Sequence, residues 1–109
     1  MPDSDVFGAL ANPVRRQLLE ALRDGPRAAG DLAGRFALSR PAVSEHLAVL
    51  RHAQLIREEP RGRHRYYHLA AEPLTEVRDW LHPFEAYWRE RLTALKDLVE
   101  ADESEGDDR

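Results

Sequence analysis

Ser39-Arg40-Pro41-Ala42-Val43-Ser44-Glu45-His46-Leu47-Ala48-Val49-Leu50-Arg51-His52-Ala53 is the stretch whose reading decides the fold. Val43, Leu47 and Leu50 recur at helical spacing and form one apolar stripe. Pro41, Ser44, Glu45, Ala48, Arg51 and His52 fall on the opposite side, with Arg40 at its N-terminal end. Ser39 supplies an N-cap oxygen, and Pro41 is tolerated in the first turn, where its missing N–H has no partner to lose. The outer side is thus small and polar. Ser44 is a poor helix former, because its hydroxyl competes for backbone groups, but a short hydroxyl suits close approach to another surface.

Upstream, Ala37-Leu38-Ser39 reads as a brief turn after a short helix over Ala28 to Phe36, whose apolar side is Leu32, Ala33 and Phe36. Gly25-Pro26 ends an earlier helix that starts at Asn12-Pro13 and carries Val14, Leu18, Leu19 and Leu22. Val6, Phe7 and Leu10 make a first apolar stripe. Downstream the period changes to alternation over Leu55 to Glu59 and Arg63 to Leu69, with Glu59-Pro60-Arg61-Gly62 between them as a type I turn. Ala70 to Pro73 is a linker, after which helical spacing returns through Val77, Trp80, Leu81, Phe84, Trp88, Leu92, Leu95 and Val99. Pro83 predicts a break near His82 and a fresh helix from Pro83 onward. The expected fold is mainly α with a small β-hairpin, in the order α-α-α-α-β-β-α-α. Two helices across a short turn, followed at once by an Arg-rich hairpin, make a winged helix-turn-helix.

The chain has 109 residues, enough for one domain of ordinary size. That domain is expected over residues 1–100, with 101–109 as an acidic, disordered tail. The formal charge is −4, from 16 bases and 20 acids. Its distribution matters more than its sum. Residues 101–109 hold five acids and one base, so the rest of the chain is neutral. Arg35 to His68 carries seven arginines against three glutamates, a local +4. Cysteine is absent, which removes disulfides, thiolate metal sites and Cys nucleophiles. No run is apolar enough for a membrane span, and the acidic N-terminus does not resemble a signal peptide. A cytoplasmic protein is expected.

The polar face of the central helix points to DNA. Arg40 can pair with guanine through two donors, Glu45 can accept from the cytosine amino group, and Ser39 and Ser44 sit near the helix start, where recognition helices touch bases. Arg51 lies on the same side. Arg61, Arg63 and Arg65 on the hairpin suit phosphate contact. Each residue also has a plain reading: Ser39 caps its helix with or without DNA, exposed charges are commonly just solvated, and arginines can guard an edge strand. The hairpin arriving directly after the helix–turn–helix favours DNA.

Leu38 to Leu47, Leu50 to Ile56 and Gly62 to Leu69, together with Leu10-Ala11-Asn12-Pro13-Val14-Arg15-Arg16, resemble the ArsR family of bacterial winged-helix repressors over roughly residues 5–99. The resemblance implies a homodimeric repressor on a palindromic operator of double-stranded DNA. It places Arg40, Pro41, Ser44 and Glu45 where family members touch bases, and it implies dimer contacts from the first and last helices. Those contacts are expected from Val6, Phe7, Leu10, Phe84, Trp88, Leu92, Leu95 and Val99. Two features depart from the family pattern. The cysteines of its metal-sensing branch are missing, and Asp79, His82 and Glu85, interrupted by Pro83, make a poor ligand set, so no metal is expected. Gln54 stands where the family usually has Gly.

No cofactor is expected. His46 reads as a structural histidine, and His64 and His68 as solvent-facing or phosphate-donating. Trp80, Phe84, Tyr87 and Trp88 read first as packing or dimer interface, and second as a pocket for an unidentified small-molecule effector. No catalytic constellation is present, so an enzyme is not expected. The alternative function is a winged-helix interaction or dimerisation module that does not bind DNA.

Overall fold

In a computed structural model describing residues 5–107, the chain forms two compact units, one ending at Val77 and the other beginning at Arg78. The first begins with α1 (Val6–Leu10) and α2 (Pro13–Ala21). Asn12 caps α2 as expected, its side-chain oxygen accepting from the N–H of Val14 at 2.8 Å and Arg15 at 3.3 Å. A 3-10 turn over Leu22–Asp24 leads to Gly25, whose φ of 143° favours glycine.

The next two helices follow the expected order with small shifts. Arg27–Ala28 is a two-residue strand, β1, where the sequence predicted the start of the third helix; that helix, α3, spans Ala29–Arg35. The recognition-type helix α4 spans Arg40–His52 and is capped by Ser39 Oγ, which accepts from Ala42 N–H at 3.2 Å. Val43, Leu47 and Leu50 are all buried, as their spacing requires. They pack with Leu18, Leu32, Leu55 and Ile56 into one core, against which Leu74 and Val77 are partly buried.

The hairpin consists of β2 (Ile56–Arg61) and β3 (His64–Leu69). The expected type I turn over Glu59–Gly62 is not found. The strand continues to Arg61, Arg61 pairs with His64, and the reversal is made by Gly62 and Arg63 alone. Gly62 has φ 58°, the sign that two-residue hairpin turns need at their first central position. Pro60 therefore lies inside β2, opposite Arg65. It is accommodated because the antiparallel sheet runs β1-β3-β2, making β2 an outer strand. The hairpin is thus part of a three-stranded sheet.

The last helix, α5 (Leu74–Asp107), corrects a second expectation. Pro83 sits inside it, so there is one final helix and not two. Proline removes the bond that would reach back to the Asp79 carbonyl and costs about 3 kcal/mol in a helix interior. Asp79 is exposed, so water can satisfy that carbonyl, and long flanking stretches carry the helix through. α5 also runs into the stretch expected as an acidic tail; residues 108 and 109 lie outside the described residues. In the second unit, Trp80, Phe84, Tyr87, Trp88, Leu92, Leu95, Leu98 and Val99 are all exposed. Trp80 and Phe84 ring centroids are 4.9 Å apart, and Phe84 and Trp88 6.3 Å.

Candidate nucleic-acid interface

The turn between α3 and α4 sets the angle at which the candidate interface is presented. Ala37 adopts φ 54°, and the chain closes α3 with Leu38 N–H donating to Ala33 O at 2.9 Å and Ala37 N–H to Gly34 O at 3.4 Å. This paired closure is a Schellman motif. From it Ser39, Arg40, Pro41, Ser44 and Glu45 emerge exposed at the start of α4. The Arg40 guanidinium reaches back to α3, its Nη1 coming within ordinary contact distance, 3.4 Å, of where a methyl group on Gly30 would sit. A cleft of about 280 Å³ is lined by Gly30, Arg40, Ser44, Arg63, Arg65 and Tyr67 among others. The structure thus gathers Arg40 and Ser44 from α4 with Arg63 and Arg65 from the wing.

The pleat sorts the remaining wing residues. Alternation places Glu58 and Pro60 on one face of the hairpin with their register partners Tyr67 and Arg65. Arg57, Glu59 and Arg61 fall on the other face, with His68, Tyr66 and His64. Arg61 is therefore turned away from Arg65. Its guanidinium lies 4.8 Å from the Tyr66 ring centroid and donates to Glu59 Oε1 at 3.1 Å. His68 Nε2 is 2.6 Å from the same oxygen.

On the face toward α4, Glu58 holds two arginines. Arg51 Nη1 donates to Oε1 at 2.6 Å and Arg65 Nη1 to Oε2 at 2.7 Å. Tyr67 Oη also donates to Oε2, at 3.3 Å. The Glu58 side chain is only 18 % exposed, against 51 % and 66 % for its two partners. Burial pushes its carboxyl up, but the hydrogen bonds and charges of Arg65 and Arg51 outweigh this and hold it below its ordinary value. Burial, reinforced by the Glu58 charge and hydrogen bond, pushes the Tyr67 phenol up, so it keeps its proton and donates it. Hydrogen bonds from His68 and Arg61 lower Glu59 likewise. By contrast, Arg40 and Arg63 form no ion pair with another described residue.

Glu58 and Tyr67 were not singled out in the sequence. The available signal was their period-two phase relative to Arg65, which becomes readable only once the strand register is known. Of the residues expected at a dimer interface, Phe7 is 39 % exposed, Leu10 is half-buried, and Val6 is buried in the core of its own unit. Phe84, Trp88, Leu92, Leu95 and Val99 share one exposed stripe of α5. Among the described residues no group of three or more His, Asp or Glu could hold a metal ion. No helix there is long and apolar enough to cross a membrane.

Residues 12–58 match the family profile described as bacterial regulatory protein, arsR family. The chain is 43% identical over 100 residues to the HTH-type transcriptional regulator Rv2034 of Mycobacterium tuberculosis, covering 92% of this chain and 88% of that protein. It is 36% identical to the transcriptional repressor SdpR of Bacillus subtilis, over 74% of this chain and 90% of that one. The crystal structure of the ArsR family transcriptional regulator RHA00566 superposes with a TM-score of 0.67 at 35% identity, covering 76% of this chain and 91% of that chain. With a capped recognition-type helix, an arginine-bearing wing and relatives matched along most of their length, the chain belongs to the ArsR family and is a DNA-binding transcriptional regulator rather than an enzyme.

Proposed function

We propose that the protein acts in the cytoplasm as a homodimeric repressor, laying α4 in the major groove of each half of a palindromic operator and the wing along the flanking backbone. The observation that carries this reading is the convergence of Arg40 and Ser44 on α4 with Arg63 and Arg65 on one cleft. Arg40, Ser44 and Glu45 reach base edges, with Ser39 and Pro41 setting the helix start. Arg63, at the tip, takes a phosphate. Arg61 reaches the backbone only by leaving Glu59. Two-fold symmetry of the protein demands a palindrome, with recognition helices one DNA turn apart. The apolar stripe of α5 supplies the main dimer contact, with the Phe7 and Leu10 edge of the first unit offering a second. Repression follows SdpR, which is named a repressor. The Trp80–Phe84–Trp88 ladder serves association in this reading and leaves no separate effector pocket.

Fluorescence anisotropy on a duplex from upstream of the protein's own gene, beside a scrambled duplex and across a salt series, tests this. Preferential binding that weakens steeply as salt rises is the expected result. No binding to either duplex at low salt would overturn it and favour an interaction module that does not bind DNA.

A further inference from the structure

We infer that Glu58 is a positioning and specificity-determining residue: its single carboxylate ties the last turn of α4 to the wing through Arg51 and Arg65. This rests on the DNA-binding reading above.

Arg51 and Arg65 come from separate elements, and on exposure alone each would pass for an independent phosphate contact. The geometry joins them. One carboxylate oxygen takes Arg51 at 2.6 Å, the other takes Arg65 at 2.7 Å, and Tyr67, the register partner of Glu58, braces the second oxygen. Both arginines cover the carboxylate, which is why it is largely shielded while they are not. A second cleft, of about 190 Å³, lies between Ser44 and this cluster, so the tie stands beside the base-reading side of α4.

Two consequences follow for DNA. A guanidinium already committed to a carboxylate releases fewer counterions when it meets a phosphate, so Glu58 lowers the attraction that any sequence receives. In exchange, helix and wing are held at one separation, and a fixed separation is what distinguishes a matching site from a mismatched one. Arg40 and Arg63, without carboxylate partners among the described residues, are left as the principal cations for base and phosphate.

The test uses the full-length protein with the upstream and scrambled duplexes. Glu58→Gln keeps the shape and removes the charge. It is expected to bind the scrambled duplex about 3- to 10-fold more tightly, with a salt slope steeper by about one to two per protomer, and to lose a similar factor in preference for the upstream duplex. Arg51→Gln is expected to leave the slope on the scrambled duplex nearly unchanged while lowering that preference. A slope reduced by about one in Arg51→Gln would make Arg51 an ordinary phosphate contact and overturn the inference. So would an unchanged slope and unchanged preference in Glu58→Gln. A readout without DNA separates this outcome from failure of the DNA reading. Amide exchange over residues 64–67 should quicken several-fold in Glu58→Gln in the free protein, and unchanged exchange would overturn the tie whatever the duplexes do.

Discussion

Gln54 is the residue at which a departure from family pattern becomes a measurable strain. It follows the cap of α4 with φ 64°, and the closure around it is a complete Schellman motif. Gln54 N–H donates to Arg51 O and Leu55 N–H to Leu50 O, both at 2.9 Å. α4 thus closes at its Ala53 cap, and glutamine occupies the left-handed position that glycine would fill without penalty. Left-handed backbone costs a side chain about 1–2 kcal/mol, and glycine returns some of this through its freer unfolded chain. Gln54→Gly should stabilise the protein by about 0.5–1 kcal/mol, seen as a rise of a few degrees in the thermal midpoint. A fall would mean that the exposed glutamine side chain makes a contact worth more than the strain. Arg15 and Arg16 show the reverse case, of residues whose role the sequence concealed. Arg15 donates to the carbonyls of Ala9 at 2.7 Å and Gly8 at 3.1 Å, and Arg16 to Leu10 at 2.7 Å, so both close the end of α1. Arg15 also lies 3.4 Å from Nδ1 of half-buried His46, which accordingly accepts there. Nothing in a run of arginines distinguishes such a role from a solvated charge.

Elements were legible in the sequence in proportion to the strength of their end signals. α2 and α4 begin where Asn12 and Ser39 say they begin, because a cap and a nearby proline are local chemistry. The hairpin turn was misplaced by two residues because Pro60 and Gly62 fit a type I turn as written. The choice was made by the pairing of Arg61 with His64, a relation between strands. β1 is two residues long, too short to carry a periodic signal, and exists only because β3 pairs with it. The hairpin also has a pH dependence of definite sign. Glu58 and Glu59 have folded values lowered from 4.5. Their contribution is complete above about 4.5 and is lost as pH falls through the lowered folded values. Protection of the hairpin amides, taken against the intrinsic exchange rate at each pH, should therefore fall on acidification in that window while that of the α4 core amides holds. Glu58→Gln together with Glu59→Gln should flatten the response. An equal response in the double variant would place the acid lability elsewhere.

At the scale of the molecule, the first unit has a core that closes on itself, whereas α5 beyond Arg78 presents a stripe of large apolar side chains, Leu92 at 64 % exposure among them. The spacing of that stripe was readable from the sequence. The continuity of the helix through Pro83 was not, since proline's local penalty is outweighed only by the length of helix on either side. If α5 forms the dimer contact proposed above, Trp88→Glu with Leu95→Glu should leave a monomer by light scattering, with the helical content of the first unit retained. It should lower affinity for the upstream duplex by about 100-fold or more, as a dimer's paired contacts become one set. A variant that stays dimeric would move the interface off this stripe.

Pro60 in the outer strand has a consequence for how copies of the chain meet. An edge strand offers unpaired amides to any passing strand, and β2 is such an edge. Proline withdraws one of those donors at the second-last residue of the strand, near the wing tip, beside an arginine on one flank and a glutamate on the other. Strand addition by another copy along that rim is interrupted there, so the wing can stay exposed without becoming a template for aggregation.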